Sequence, residues 1–246
     1  MNNQKPLISV IIAVLNNKET LQQCLDSVIQ QTYPNVELIV IDGGSTDGTV
    51  DIIANLSQHI AYWVSEPDSG IYDAMNKGIA HSSGCWLIFI GADDRLFDAD
   101  VISSIPFIEY TDYALIAGKV IYGNGIEVRS FLGYGTLLHN TVHHQSAFYN
   151  KKLFVNWKYD TKFHISADYD LNLMLLLANA KTIMIDKIIS FCRDGGVSRV
   201  NIKSAYIETN EVRRKNLRKN FAIMIFLYFI KLKLSIIKNF VVHVFK

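Results

Sequence analysis

Cysteine is scarce and poorly placed for its common structural uses. Cys24, Cys85 and Cys192 are odd in number and far apart, which excludes a zinc-binding spacing and a disulfide framework and leaves isolated reduced thiols. The N-terminal MNNQKPLISV lacks the basic region, long apolar segment and cleavage site of a secretory signal, so a reducing cytoplasmic setting is expected. Internal repeats, low-complexity tracts and Pro/Gly-rich linkers are missing up to residue 200. Two phosphate-binding signatures are missing as well. No G-x-G-x-x-G follows the first apolar run, and no G-x-x-x-x-G-K-[ST] occurs, which argues against a dinucleotide fingerprint and a P-loop.

What is present is a chain of 246 residues, 50% of them hydrophobic, enough for one large α/β domain or a domain of about 200 residues with an appendage. The net charge of +1 hides an asymmetry. Residues 1–200 carry 14 Lys/Arg against 21 Asp/Glu, whereas residues 201–246 carry 10 against 2. An acidic body is followed by a basic tail, and no nucleic-acid-binding motif accompanies the basic residues, so nucleic acid is not an expected partner.

LISVIIAV (7–14), VELIVID (36–42), IAYWVSE (60–66) and CWLIFIG (85–91) are apolar runs rich in β-branched residues, as strands covered on both faces should be. Between them, Leu21, Leu25, Val28 and Ile29 recur at helical spacing, DGTVDIIANLS reads as a helix capped by Asp47, and GIYDAMNKGIAHS reads as a short helix. Strands alternating with helices predict a mostly parallel sheet. Further on, a hairpin turning at GNG, a strand entering a short helix at HHQSAFYNKKLF, a helix at ADYDLNLMLLLANA and one or two strands within KTIMIDKIISFC are expected.

Each early strand stops at polar residues: Asn16 and Asn17, then Asp42, then Glu66 and Asp68, then Asp93 and Asp94. In an open α/β sheet, ligands bind beyond the carboxyl ends of the strands. Two adjacent carboxylates in GADD would repel one another unless one is protonated or a hard divalent cation sits between them and substrate phosphates. A metal-bridged nucleoside diphosphate is the economical ligand, and Asp42 suits a hydrogen bond from a base edge.

ISVIIAVLNN, QTYPNVELIVIDGGSTDGT, EPDSGIYDAMNKGI and GADD, in this order and spacing over roughly residues 6–200, resemble family 2 glycosyltransferases with a GT-A fold, in particular bacterial enzymes that build capsule, O-antigen or exopolysaccharide repeat units. The resemblance implies an α/β/α sandwich around a mostly parallel mixed sheet. Its donor half would span about 1–98 and its acceptor half about 99–200. Donor contacts fall on Asn16, Glu19, Asp42, Asp68, Asn76, Asp93 and Asp94, and a UDP-sugar is the favoured donor. Asp93 and Asp94 would hold the divalent metal, Mn²⁺ or Mg²⁺, although Gly91 stands where the first acidic residue of the D-x-D region is usual. Met75 replaces an arginine beside Asn76, which leaves Lys77 or Arg95 for the charge contact. SADYDLNLML places Asp168 on the inverting base, with Ala167 at a usually acidic position and Asp170 as the rival carboxylate. His144 and Gln145 match an acceptor-side pair, and Arg193 or Ser198 would meet the diphosphate.

The tail, 201–246, reads as a basic amphipathic helical segment. Its uninterrupted apolar run, 221–230, is half of the roughly 20 residues that a spanning helix needs. RRKNLRK and the lysines at 231, 233 and 238 fit a helix lying on an anionic membrane surface, or a helix packed on protein. A lipid-linked glycan acceptor at the inner face of the cell membrane, built on polyprenyl diphosphate, follows from the resemblance. Two other readings stand beside it: a nucleotidyltransferase, and an inactive sugar-nucleotide-binding subunit that Gly91 and Ala167 keep in view.

Overall fold

The computed structural model describes residues 5–194 and 201–217. Among the described residues nine strands form one mixed sheet: β1 (Ile8–Val14), β2 (Val36–Asp42), β3 (Tyr62–Ser65), β4 (Trp86–Gly91), β5 (Arg95–Leu96), β6 (Leu115–Tyr122), β7 (Glu127–Arg129), β8 (Ala147–Asn150) and β9 (Thr182–Cys192). The order is β3-β2-β1-β4-β8-β6-β9-β5, with β7 hairpinned onto β6. β1 to β4 are mutually parallel, β8 runs against both β4 and β6, and β9 is parallel to β6. The four early apolar runs are therefore the parallel part of the sheet, as their composition predicts.

Side chains alternate strictly between two cores. Ile8, Val10 and Ile12 of β1 pack with Leu38 and Val40 against α1 (Leu21–Ile29) and α2 (Thr49–Asn55). Ile11, Ile39, Ile41, Leu87 and Phe89 point the other way, against α3 (Ile71–His81), α4 (Ala167–Leu177) and α5 (Ile202–Leu217). The result is three layers, with both faces of the sheet covered. Gly78 lets α3 lie close on β1, because a Cβ there would come within 2.4 Å of Ile11 Cγ2.

Two features of this topology build the site. From β1 the chain steps to β2 on one side, while β4 lies on the other, so the carboxyl ends of β1 and β4 flank the topological switch point. Immediately after β4 the chain turns and pairs β5 antiparallel with the end of β9, Arg95 opposite Phe191. The sheet curls, and the Asp93–Asp94 turn is brought beside Cys192 and Arg193.

The segment read as a separate tail begins as α5, and α5 belongs to the body. Val212 and Leu217 are buried in the second core, and Lys215 and Asn216 reach Asp170 of α4. The remainder of the expected amphipathic tail, with its apolar run and later lysines, lies outside the described residues.

Candidate active site

The loops after β1 and β2 are clamped together. Asn16 adopts a left-handed conformation (φ +48°), which an Asn tolerates better than most residues. Its backbone N–H donates to Ser45 Oγ at 2.7 Å, and its side-chain oxygen accepts from Thr46 N at 2.9 Å. Asn17 N donates to Thr49 Oγ1, and Lys18 N to Asp47. Asp42, fully buried at the end of β2, is the keystone of this rim. It accepts from Gly44 N (3.1 Å), Ser45 N (2.9 Å), Ser45 Oγ (2.5 Å) and Ser65 Oγ (2.6 Å). The polar turn after the second strand is thus an anchored scaffold, its glycines freeing N–H groups to face one carboxylate.

Gly43 follows. A Cβ here would stand 2.8 Å from Asp68 Oδ2 and 3.3 Å from Asp68 Oδ1. Absence of a side chain at 43 gives the Asp68 carboxylate its place over the β2 loop, where Oδ1 also accepts from Gly70 N at 2.8 Å. Asn16, Asp42 and Asp68, contributed by three different strand ends, therefore meet at one edge. Glu19 is exposed on the turn that enters α1.

Beyond β4 the same device recurs. A Cβ on Gly91 would lie 2.9 Å from Asp93 Oδ1 and 3.1 Å from Asp94 Oδ2, so both carboxylates converge over the glycine. Asp93 is exposed, whereas Asp94 is 6% exposed and accepts from Gln145 Nε2 and from Arg193 N, each at 3.0 Å. Burial, and then the charge of Asp93, push the Asp94 carboxyl up to about 6, while Gln145, the Arg193 N–H and His144 pull it back. Burial and the same two aspartates raise the Cys24 thiol well above its ordinary range, and its Sγ donates to Gly91 O. Two convergent carboxylates, with Asp94 raised by burial and by the charge of its neighbour, fit a hard divalent cation that draws its other ligands from water and substrate phosphates. No cluster of three or more His, Cys, Asp or Glu able to hold a metal by itself exists among the described residues.

Across from this pair, Asp168 lies in the first turn of α4, 6% exposed, with four polar groups around its carboxylate. Oδ1 accepts from Tyr169 N at 2.9 Å and faces Tyr72 OH at 2.9 Å, whose single proton is shared with Ile165 O at 2.8 Å. Oδ2 accepts from Asn140 Nδ2 at 2.8 Å and faces His144 Nδ1 at 3.3 Å. Burial, and then Asp168, hold the Tyr72 hydroxyl well above its usual pKa, so it stays a donor. Asp170, the rival, faces away: Lys215 Nζ and Asn216 Nδ2 of α5 each reach it at 2.6 Å.

Two successive residues in the turn before β8 join these centres. His144 reaches Asp168, and Gln145 reaches Asp94. The structure does not bring Asn76 to this edge. Its amide pairs with Tyr159 in both directions, Nδ2 to the carbonyl and N–H to Oδ1, each at 2.9 Å, and it lines an apolar cavity of about 580 Å³ at the opposite, N-terminal end of β4. A helix register one turn too deep to reach the crevice accounts for this. Lys77 is paired with Glu66 at 2.8 Å, and the Arg95 guanidinium lies over the Phe191 ring at 3.9 Å. Arg193 meets the site through its backbone N–H, and Ser198 lies outside the described residues. Tyr72, Asn140, Ser45 and Ser65 were not anticipated. Of these only Asn140, inside HNTVHHQ, carried a signal, as a polar neighbour of the predicted pair.

Comparisons with known proteins give the family and the fold. The family model described as glycosyl transferase family 2 matches residues 9–168. A PGL/p-HBAD biosynthesis glycosyltransferase of Mycobacterium bovis is 32% identical over 219 residues, covering 82% of this chain and 83% of that protein. Glycosyltransferase AglE of Haloferax volcanii is 36% identical over 132 residues, covering 51% of this chain and 43% of AglE. Among solved structures, S. aureus TarS superposes with a TM-score of 0.64 at 19% identity, covering 87% of this chain, which spans 43% of that TarS chain. The mannosyltransferase PcManGT of Pyrobaculum calidifontis, in complex with GDP-Man and Mn²⁺, gives 0.60 at 18% identity, covering 91% of this chain and 65% of that one. The structural likeness shows a GT-A-type fold. With the family model spanning most of the described body and a relative at 32% identity along four fifths of the chain, the protein belongs to the family 2 glycosyltransferases.

Proposed function

We propose that this glycosyltransferase moves a sugar from a nucleoside-diphosphate donor, with a UDP-sugar favoured, to a hydroxyl of a lipid-linked glycan, inverting the anomeric configuration in one displacement. The observation that carries the reading is the pair of carboxylate centres, Asp93–Asp94 and Asp168, joined through Gln145 and His144. A transferase needs those two centres within one sugar's reach, one for the leaving diphosphate and one for the attacking hydroxyl.

The rim of Asn16, the Asp42-anchored loop and Asp68 receives the nucleoside. Asp93, with Asp94 beside it, would hold a divalent cation, Mn²⁺ or Mg²⁺, which when bound supplies positive charge to the departing diphosphate. The Arg193 N–H and Gln145 fix Asp94 so that the carboxylate pair keeps its geometry. The acceptor hydroxyl loses its proton at the Asp168 centre as its oxygen attacks the anomeric carbon. Attack opposite the leaving group inverts that carbon. TarS 1–349 has been solved with UDP-GlcNAc and PcManGT with GDP-Man and Mn²⁺, which supports a nucleotide-sugar donor and a metal here.

A role at the inner face of the membrane, in building a surface polysaccharide, is supported by the 6 basic residues, with no acidic one, that the sequence carries after position 217. No helix among the described residues is long and apolar enough to cross a membrane. The test is calorimetric binding of UDP with and without Mn²⁺. Metal-enhanced binding that disappears in Asp93→Ala supports the donor site, and metal-independent binding equal in both proteins removes it.

A further inference from the structure

We infer that segment 151–158 and the apolar cavity it borders form a lipid site on the body of the protein: one acyl chain of an anionic bilayer phospholipid enters the cavity, and Lys152 and Lys158 receive its phosphate. The site lies at the other end of the sheet from the crevice, so the inference goes beyond the proposed function and stands apart from its chemistry.

The segment reads KKLFVNWK, apolar and aromatic residues framed by lysines. Asn150 shapes it. Its side-chain oxygen accepts from Lys152 N at 3.1 Å and its amide donates to Tyr113 O at 3.0 Å, which starts a short 3-10 turn over Lys151–Val155. The turn splits the apolar residues. Phe154 goes inward, 8% exposed and edge-on to Trp157 at 5.9 Å, while Val155 stands out at 75% exposure. Lysines beside an exposed apolar residue and a tryptophan suit a surface lying in the headgroup boundary, where lysine stems cover apolar area and their ammonium groups stay wet.

Behind the segment is the cavity of about 580 Å³, within the roughly 300–1,000 Å³ of sites that take small ligands. Ile79, Ala80, Trp86, Phe154 and Val155 supply its apolar wall. Its lining also carries Lys151, Lys152 and Lys158 and no acidic residue. Lys151 is committed to Ser82 O, whereas Lys152 and Lys158 are exposed, without a carboxylate partner among the described residues. Acids adjoining the lining are taken: Asp160 by Lys162 at 3.2 Å and Lys215 at 3.6 Å, Asp112 by Lys181 at 2.5 Å. An apolar hole with a positive mouth fits an apolar chain that carries a negative head.

The bilayer as its source follows from where the chain leaves the body. Lys215, in the last turn of α5, reaches Asp160, two residues beyond Lys158, and the sequence after position 217 carries 6 more basic residues and no acidic one. Segment 151–158 and the basic C-terminal sequence thus start from one side of the body, and an anionic surface attracts both.

The test uses the full chain, vesicles of phosphatidylcholine with or without phosphatidylglycerol, and acyl chains brominated near their middle, which quench tryptophan at close range. In Trp63→Phe/Trp157→Phe, Trp86 is the sole tryptophan, and at 1% exposure it is out of reach of a chain that merely lies on the surface. Brominated phosphatidylglycerol in the vesicles should quench its emission, and brominated phosphatidylcholine without the anionic lipid should not. Lys152→Gln/Lys158→Gln should weaken binding to the phosphatidylglycerol vesicles by about 30-fold, two charges at about 1 kcal/mol each, with UDP binding unchanged. That pair is read by co-sedimentation in the protein with its native tryptophans, so it decides the matter even where the tryptophan replacements disturb folding. Vesicle-bound protein with unquenched Trp86 overturns the inference: a monomer by light scattering then assigns the cavity to the chain's own 221–230 run, and a dimer assigns it to a second copy. Equal quenching by the neutral lipid, or an unchanged affinity in the lysine variant, overturns it too. Absence of any vesicle binding overturns it altogether and leaves the donor-site reading where it stood.

Discussion

Glu208 makes the strongest mechanical prediction, because one side chain of α5 holds the entrance of the helix that carries Asp168. Its carboxylate accepts three backbone N–H groups from the turn that precedes α4: His164 N at 3.0 Å, Ile165 N at 2.8 Å and Ser166 N at 2.9 Å. Unpaired N–H groups crowd a helix N-terminus, and an anion there also complements the dipole. Hydrogen bonds to a charged acceptor contribute about 1.5–3 kcal/mol each when sheltered. Glu208 is half-buried and water replaces part of what is lost, so about 1 kcal/mol for each of the three bonds is the working figure. Glu208→Ala should therefore cost about 3 kcal/mol, which at roughly 2–4 °C per kcal/mol for a domain of this size lowers Tm by about 6–12 °C. Glu208→Gln, which retains one carbonyl oxygen, should cost about half as much. Thermal melts followed by circular dichroism read both numbers. A Glu208→Ala melt within 2 °C of wild type would refute the strut, and with it the conclusion that α5 belongs to the catalytic body.

Two further outcomes follow from the site and one from the C-terminal sequence. Because the folded Asp94 pKa is raised to about 6, its ionised form costs stability; the contribution is full below about pH 4, is lost as pH climbs through 6, and is on the order of 3 kcal/mol. Mn²⁺ should therefore raise Tm at pH 7.5 and do so much less at pH 5, and an equal gain at both would count against Asp94 as a ligand. Gly43→Ala should displace the Asp68 carboxylate, only 2.8 Å from the added Cβ, and weaken UDP binding severalfold with little change in Tm; unchanged binding would take Asp68 out of the donor site. Removal of residues 221–246 should shift the protein from the membrane to the soluble fraction on cell fractionation, and undiminished membrane association would exclude the tail as the anchor.

How far the sequence reaches is visible in particular residues. The four parallel strands were legible because their two-sided burial leaves unbroken apolar runs, and their polar ends marked one edge of the sheet. Asp42 was legible as important, yet its surroundings were not: Ser65, 23 residues on, is an ordinary serine until β3 is laid beside β2. β5 has two residues and no pattern of its own, so the curl that brings Arg193 to Asp94 comes only from pairing with β9. Asn76 looked like a site residue from its motif, but the helical register of α3 turns it toward the Tyr159 backbone. Ions misled at the C-terminus. Glu208 and Lys215 lie in a segment whose charge reads as a solvated tail, while tertiary contacts 42 to 45 residues apart fasten them to α4 and the turn before it. Gly91, which departs from the acidic pattern, is the point over which two later carboxylates fold.

The most direct test of the whole account is nucleoside-diphosphate release from a panel of UDP-, GDP- and dTDP-sugars, with and without Mn²⁺ or Mg²⁺ and with a lipid-linked acceptor supplied. The account predicts metal-dependent release from one donor, accompanied by a glycosylated acceptor of inverted configuration and abolished in Asp93→Ala. Tight donor binding with no release under any of these conditions would contradict it and identify the chain as a sugar-nucleotide-binding protein without turnover.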